Sequence, residues 1–263
     1  MDRIEDSGKE HKVTTIYEIP LNSRMRHFLR YEHLINEIEA RLSAKQDYSV
    51  IDILRLLHSL IEINTNNDMR SEIMQHLIWQ YQQLQELEDQ PQVDQIFLRE
   101  KIEEKKQVLE KIEELSIPIS MYHNHYLLST TKSRVNIIGG LASFHLPMFA
   151  TWATLPRDHQ QADLNEWYAP FKEIYKGIQN ILLMTRDSQE FKAYQSETGY
   201  YMEDFSPPKT YQMIRISVNR DIFPRLSASP SRLIVYFFTT SDFKEQPQQV
   251  KTRIDFEMSF ANL

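Results

Sequence analysis

Three arginines near the start of the chain are the residues best suited to chemistry with an acidic group. Arg24, Arg26 and Arg30 fall within two turns of a predicted helix, inside the segment YEIPLNSRMRHFLRYEHL (residues 17–34). A guanidinium group binds a carboxylate through paired, charge-assisted hydrogen bonds. Because the formal net charge of the whole chain is −7, this basic segment indicates recognition of one specific acidic group and not general attraction to nucleic acid.

A further arginine, Arg232, opens an apolar segment typical of a β-strand. Since alternate side chains of a strand share one face, the pattern predicts that four side chains point together: Arg232, Ile234, Tyr236 and Phe238. Such a face suits an acidic peptide with apolar anchors, because the guanidinium binds carboxylates and the rings bury apolar groups. The alternative left open by the sequence is that Arg232 pairs with an acid of its own domain, such as Asp255 or Glu257.

No residue pattern predicts catalysis. The tripeptide His123-Asn124-His125 resembles a nuclease motif, but no companion ligands follow at a spacing that would hold a metal ion. The zinc-hydrolase, serine-hydrolase, P-loop and dinucleotide-binding patterns are absent from the sequence. With no cysteine, disulfides, thiol catalysis and cysteine-held zinc are excluded. We therefore expect no catalytic residue, no metal and no cofactor.

Composition bounds the class of protein. The chain has 263 residues, of which 41% are hydrophobic and 25% charged, as is ordinary for a soluble globular protein. The polar start predicts a disordered tail over residues 1–12 and no signal peptide. No apolar run approaches the length of about 18 residues that spans a bilayer. We expect a cytoplasmic protein that neither inserts into a membrane nor binds nucleic acid.

Apolar residues repeat at intervals of three and four in the first half, which predicts helices. The predicted helices are residues 22–42, 50–63, 69–88 and 93–115, with Asn22 or Ser23 as the first N-cap and a turn at residues 64–68. The third and fourth are long and rich in Gln, Glu and Lys, and their narrow apolar stripe fits an antiparallel helical hairpin. The pattern leaves open whether this hairpin also binds a second copy.

The second half is predicted to be β-rich, because β-branched and aromatic residues gather in short runs between turn residues. The predicted strands are residues 135–138, 210–218, 232–239 and 252–260, with helices at 147–153 and 163–185. Residues 17–19 are predicted to join the sheet. The fold class is α+β, in four parts: the tail (1–12), an N-terminal strand (13–20), a helical, dimer-forming domain (21–119) and a β-rich domain with inserted helices (120–263).

The order and spacing of several blocks resemble the ZapD family of bacterial cell-division proteins. The blocks span most of the chain: residues 17–34, Gly139-Gly140, Ser143-Phe144, Leu146-Pro147, Trp152, Leu155-Pro156, Phe223-Pro224, Ser231-Arg232 and residues 253–257. The resemblance implies a helical domain, a β-rich domain and a homodimer formed through the helices. It further implies binding to the C-terminal tail of FtsZ, bundling of FtsZ filaments at the mid-cell Z-ring, and no catalysis.

The resemblance also implies a basic tail-binding pocket at the β-rich domain. Arg232 matches one of its arginines, whereas two other basic positions of that pocket fall on Asn66 and Tyr236. We expect Arg70, one helical turn from Asn66, or Arg215 in a nearby strand to supply the lost charge. The candidate tail-binding residues are Arg232, Tyr236, Arg70, Asn66, Arg215, Arg24, Arg26 and Arg30.

Two functions of other classes remain as alternatives. A small-molecule-binding protein or enzyme would use a cleft in the β-rich domain, where aromatic residues permit a pocket: Tyr200, Tyr201, Phe205 and Tyr211. The lack of a nucleophile, metal set or phosphate loop argues against it. A nucleic-acid-binding protein would use the arginine helix, and the acidic net charge argues against that.

Overall fold

The computed structural model describes residues 13–43, 49–115 and 119–262. The helices in these residues are α1 (Ser23–Ser43), α2 (Val50–Asn66), α3 (Met69–Gln85), α4 (Gln95–Glu114), α5 (Ile119–Asn124), α6 (Tyr126–Lys132), α7 (Pro147–Ala153) and α8 (Arg157–Asp187). The strands are β1 (Thr14–Pro20), β2 (Lys192–Ser196), β3 (Tyr200–Asp204), β4 (Met213–Asn219), β5 (Ile222–Ser229), β6 (Arg232–Thr239), β7 (Gln248–Gln249) and β8 (Ile254–Ala261). The α+β class is confirmed. The predicted tail at residues 1–12 lies outside the described residues.

The chain divides into two compact units, and the division differs from the predicted domain boundary. The helical unit comprises residues 26–184, and the β unit comprises residues up to Met25 together with those from Thr185 onward. Helices α5 to α8, predicted as insertions in the β-rich domain, therefore belong almost entirely to the helical unit. The sequence does not show that these helices belong with the first four, and no linker rich in Pro or Gly separates the two sets to mark or exclude a domain boundary.

Helix α8 explains this boundary, because it is the buried centre of the helical unit. Its stripe of Phe171, Ile174, Ile178 and Ile181 is fully covered. Tyr122 of α5 donates a hydrogen bond to the carbonyl oxygen of Trp167 over 2.8 Å. Gln80 of α3 donates to the carbonyl oxygen of Ile181 over 3.3 Å. Helix α8 therefore packs with α5 and with a helix of the first half of the sequence.

The four helices predicted in the first half are confirmed with small differences at their ends. Asn22 Oδ1 accepts a hydrogen bond from the backbone N–H of Met25 at 2.8 Å, which makes Asn22 the N-cap of α1. Helix α2 runs on to Asn66, into the predicted turn. Asp68 then caps α3 by accepting from the backbone N–H of Ser71.

The predicted strand at residues 135–138 is wrong. This segment forms successive turns closed by local hydrogen bonds, including that from the Ile137 N–H to the Arg134 carbonyl oxygen at 2.9 Å. Gly139 follows with a φ of +68°, a conformation that favours glycine and turns the chain. The backbone groups of this apolar run therefore bond through local turns and the Arg55 side chain, and among the described residues the run pairs with no strand.

The β unit contains two antiparallel sheets. The first sheet has the strand order β1-β4-β8-β2, which confirms the prediction that the N-terminal strand joins the C-terminal half. The second sheet has the order β3-β6-β5, with β7 also paired to β6. One core lies between them, formed by Ile214, Ile216 and Val218 of β4, Ile254, Phe256 and Met258 of β8, and Leu233, Val235 and Phe237 of β6.

Strands β2, β3, β5 and β7 were missed by the sequence patterns. Each of the four pairs with only one other strand among the described residues, so one side of the strand is left without a neighbour and little apolar sequence is needed. β5 also contains Pro224, which edge strands tolerate because one row of N–H groups faces outward.

The helices of the described residues are too short or too polar for any of them to cross a lipid bilayer.

Candidate ligand-binding surface

The second sheet turns one face away from the core, and we call this its outer face. The register pairs Tyr200 with Tyr236, Met202 with Ile234, and Asp204 with Arg232 across β3 and β6. Arg225 lies opposite Tyr236, and Phe223 opposite Phe238, across β5 and β6. The sequence-predicted set of Arg232, Ile234, Tyr236 and Phe238 does share this face, since the alternate residues Leu233, Val235 and Phe237 are buried.

Exposed apolar side chains run across the middle of the outer face. Met202 is 45% exposed, Tyr236 38% and Tyr200 36%. The rings of Tyr200 and Tyr236 lie 5.2 Å apart between centroids, and those of Phe223 and Phe238 are stacked at 6.0 Å. Rings that pack on one another are held in place, so they offer apolar contact area at low entropic cost.

Two arginines flank this apolar band. Arg232 Nε donates to Asp204 Oδ1 at 2.5 Å, with both side chains about half exposed. The alternative left open by the sequence, a local ion pair, is therefore the one found, although the acid is Asp204 of β3. The hydrogen bond to Asp204 raises the pKa of Arg232. An incoming carboxylate would have to compete with Asp204 or share the guanidinium with it.

Arg225, the second arginine, was not among the predicted site residues. Its guanidinium carbon lies 4.7 Å from the centroid of the Phe238 ring, which holds the charge at the surface by a cation–π contact. It was missed because β5 was not recognised as a strand. The alternation that places Arg225 and Phe223 together is present in the sequence, but Pro224 between them disguises it.

Arg215 does not share this surface. It lies on β4 of the first sheet, on the side facing away from the core, and its side chain is only 16% exposed. Its Nε is 3.1 Å from Glu18 Oε1, and its Nη1 donates to the carbonyl oxygen of Arg186 at 2.9 Å. Arg215 is thus engaged by Glu18 of its own sheet and by the end of α8, on the opposite face of the β unit from Arg232.

The remaining predicted residues divide between the two units. Arg24 belongs to the β unit and is half-buried, whereas Arg26 and Arg30 are exposed on the part of α1 in the helical unit. Arg30 and Asn66 line one groove of about 360 Å³ between α1 and α2. His27, which also lines this groove, is 3.0 Å from Glu72.

Arg70 is committed to a structural contact. Its Nε donates to the carbonyl oxygen of Ile112 at 3.1 Å, and its Nη2 donates to that of Glu113. These carbonyls belong to the last turn of α4, where helix groups have no partner within the helix and a positive charge is favourable. The guanidinium therefore caps the C-terminus of α4.

The described residues also bear on the small-molecule alternative. Tyr201, Phe205 and Tyr211 are packed in or against the core of the β unit, and the pocket that Phe205 and Tyr211 line has a volume of only about 90 Å³. A wide cleft of about 680 Å³ does exist beside β2 and β8, and polar residues lining it include Gln195, Arg253, Asp255 and Glu257. Within the described part of the chain, no three His, Asp or Glu side chains are grouped to hold a metal ion.

Comparison with known proteins identifies the family of this chain. The family model of ZapD, a cell division protein, matches residues 29–236. Cell division protein ZapD of Cronobacter sakazakii is 26% identical over 247 residues, which cover 93% of this chain and 97% of that protein. Cell division protein ZapD of Shigella flexneri is 25% identical over 250 residues, covering 94% and 99%. The chain belongs to the ZapD family of cell division proteins.

Proposed function

We propose that this cell division protein binds the C-terminal tail of FtsZ and, as a dimer, cross-links FtsZ filaments and so stabilises the Z-ring at mid-cell. The observation that carries the proposal is the outer face of the second sheet, where an exposed apolar band lies between Arg225 and Arg232. No catalytic step, metal or cofactor enters this function. Its place of action is the cytoplasmic division site.

The chemistry of the outer face matches a flexible tail of mixed apolar and acidic character. Tyr200, Met202 and Tyr236 offer exposed apolar contacts, and the arginines bind carboxylates through directional hydrogen bonds. Each contact lies near solvent, so the desolvation penalty and the Coulomb gain are both small. A single tail then binds with an affinity of roughly micromolar Kd.

Weak single sites become effective when two of them are joined. Filaments present many tails, so a dimer with two sites binds neighbouring filaments at a high effective concentration. Exposed apolar residues at the α3–α4 hairpin support a dimer contact there: Ile96 is 76% exposed, Phe97 58% and Ile78 42%. In this proposal the hairpin provides the interface and the outer faces provide the two tail sites.

The tail site is tested with a fluorescent peptide that carries the C-terminal tail of FtsZ from the same organism. We expect Arg232→Glu to weaken binding about tenfold or more, because it places a carboxylate where the tail carboxylate binds. Wild-type binding should weaken as salt is raised, since exposed charges are screened. Fluorescence anisotropy at low and moderate salt measures both effects.

Arg253→Glu is the matched control. Arg253 is also an exposed arginine beside a strand, and its Nε lies 3.4 Å from Asp255 in an ion pair like that of Arg232. It lies at the first sheet, so its reversal should leave tail binding within about twofold of the wild type. Equal losses of affinity in the two variants would mean that only the net charge of the protein matters. Unchanged binding in Arg232→Glu would show that the tail does not bind at the outer face.

The dimer is tested separately. The double variant Ile96→Lys, Phe97→Glu should sediment as a monomer and bind the tail peptide as the wild type does. It should fail to bundle FtsZ filaments, as measured by light scattering and electron microscopy. Bundling by a variant shown to be monomeric would refute the two-site mechanism.

A further inference from the structure

One long segment of this acidic chain contains no acidic residue. The chain holds 37 Asp and Glu residues, yet none falls between Leu115 and Arg157. Within the segment the charged residues are basic, Lys132 and Arg134, and the segment also contains His123, His125 and His145. A surface built from this segment carries no carboxylate of its own, and the nearby Asp52 of α2 is paired with Arg55 at 3.1 Å, so the segment itself favours anions.

The centre of this segment is a turn with an apolar residue at its tip. The N–H of Gly140 donates to the carbonyl oxygen of Ile137 at 2.9 Å, and Gly139 has a φ of +68°. This is the position where a tight turn favours glycine. Ile138, the residue before it, is 101% exposed. A Cβ placed on Gly139 would meet nothing within 4 Å, so the tip stands clear of neighbouring residues.

Other large apolar side chains near the tip are also exposed. Phe144 is 78% exposed, Ile137 58% and Met148 51%. They lie within eleven residues of one another along the chain, in and just after a series of turns. The hydrogen bonds that close these turns include one from the His145 N–H to the Ala142 carbonyl oxygen at 2.8 Å. Ordinary turns of soluble proteins carry polar residues instead. We call residues 134–148 the apolar turn segment.

The apolar turn segment is held firmly at its base. Val135 is buried, and its N–H donates to the carbonyl oxygen of Thr131 at 2.8 Å. Arg55 of α2 donates from Nε and Nη2 to the carbonyl oxygen of Val135 over 3.4 and 3.3 Å. The exposed side chains therefore project from an anchored backbone, and their exposure is a feature of the fold.

We propose that the apolar turn segment is a docking site for an anionic lipid surface. Projecting apolar side chains next to basic groups suit the interfacial layer of a bilayer, which adapts its shape to them, whereas a protein partner needs a matching depression. The absence of acidic residues from the surrounding sequence complements the negative charge of lipid headgroups. The contact is peripheral: Ile138 and Phe144 enter the interface, and Lys132 and Arg134 lie at the headgroups.

The proposal is tested by co-sedimentation of the full chain with lipid vesicles. We expect the wild type to pellet with vesicles of phosphatidylcholine and phosphatidylglycerol in equal parts, to pellet much less with phosphatidylcholine alone, and to be released by salt. The double variant Ile138→Asp, Phe144→Asp should lower the bound fraction about tenfold. Lys132→Ala should lower binding to the anionic vesicles without changing the weak binding to neutral ones.

Phe243→Asp is the matched control, because Phe243 is 95% exposed in the β unit and has acidic neighbours in sequence, Asp242 and Glu245. It should pellet as the wild type does. Circular dichroism and FtsZ-tail binding should be unchanged in every variant, which separates this inference from the proposed tail site. Equal pelleting of the double variant and the wild type would overturn the proposal. Failure of the wild type to bind either kind of vesicle would also overturn it, and would assign the segment to a protein partner.

Discussion

Glu18 of β1 lies directly opposite Arg215 of β4, and its Oε1 atom is 3.1 Å from the arginine Nε. The same carboxylate accepts two hydrogen bonds from Arg186, at 2.8 Å from Nε and 2.7 Å from Nη2. All three side chains are about four-fifths buried. This cluster of Glu18, Arg186 and Arg215 therefore ties the N-terminal strand to the C-terminal half of the chain. It explains the presence of an arginine at position 215 without any role in binding a ligand.

The first prediction concerns this cluster. Glu18→Gln removes the charge shared by two arginines and leaves both with weaker partners, so the β unit should lose about 2 kcal/mol of stability. Hydrogen exchange followed by mass spectrometry measures this as faster opening of the β1 and β4 amides. The control is Glu173→Gln, which removes an exposed partner of Lys176 and should change stability by less than about 0.5 kcal/mol. Equal protection of β1 in wild type and Glu18→Gln would contradict the assigned role.

A second prediction concerns Lys105, a buried lysine in the apolar stripe of α4. Its Nζ donates to Gln80 Oε1 at 2.8 Å and to Asn180 Oδ1 at 2.5 Å, and burial lowers its pKa to about 8. The unfolded chain holds this proton up to a pKa near 10.5. The folded state therefore releases the proton first, and stability should rise as pH increases from about 8 toward 10.5, by up to about 3 kcal/mol.

Lys105→Met isolates this effect. The variant lacks the group that titrates, so its stability should change little between pH 7 and about 9.5, below the titration of unfolded tyrosine, while the stability of the wild type rises. Urea unfolding followed by tryptophan fluorescence is suitable, because Trp79, Trp152 and Trp167 all lie in the helical unit. A wild-type midpoint that falls over this pH range relative to Lys105→Met would refute the prediction.

A third prediction concerns Gly177, which lies in the middle of α8. A Cβ at this position would lie 2.9 Å from Ile112 Cδ1 and 3.0 Å from Ile73 Cγ2. Alanine is ordinarily better than glycine in a helix by about 1 kcal/mol, whereas overpacking a core costs about 1–3 kcal/mol. Gly177→Ala should therefore destabilise the helical unit by about 1 kcal/mol, and Gly177→Val by more. A gain in the urea midpoint of Gly177→Ala would show that α3 and α4 can move away from α8.

The sequence predicted those elements whose apolar period is strong. Helices α1 to α4 and strands β4, β6 and β8 bury one regular face, so their pattern is visible without neighbours. Residues 135–138 looked like a strand because their composition is apolar, but strand formation needs a partner strand. The position of α8 was also hidden, since an apolar stripe shows that a helix is buried and does not show which helices cover it.

The candidate site was predictable in part for a similar reason. The alternation along β6 places Arg232 and Tyr236 on one face, and this depends on one strand alone. The neighbours Tyr200, Met202 and Arg225 depend on strand pairing, which the sequence of one strand does not specify. Arg70 and Arg215 looked like binding residues because an arginine that caps a helix or joins two strands has the same sequence signal as one that binds a ligand.

The last prediction concerns Tyr236, which stands where the family resemblance implies a basic residue. Its ring lies between Tyr200 and Arg225 in the register of the second sheet, so we assign it an apolar contact with the FtsZ tail. Tyr236→Phe should bind the tail peptide as the wild type does, and Tyr236→Ser should bind about five- to tenfold more weakly because the ring is lost. The loss in Tyr236→Ser should persist at high salt, whereas the effect of Arg232→Glu should shrink. Loss of binding in Tyr236→Phe would mean that the hydroxyl group binds the tail. Unchanged binding in Tyr236→Ser would mean that the ring contributes nothing to the affinity and that the arginines account for the contact.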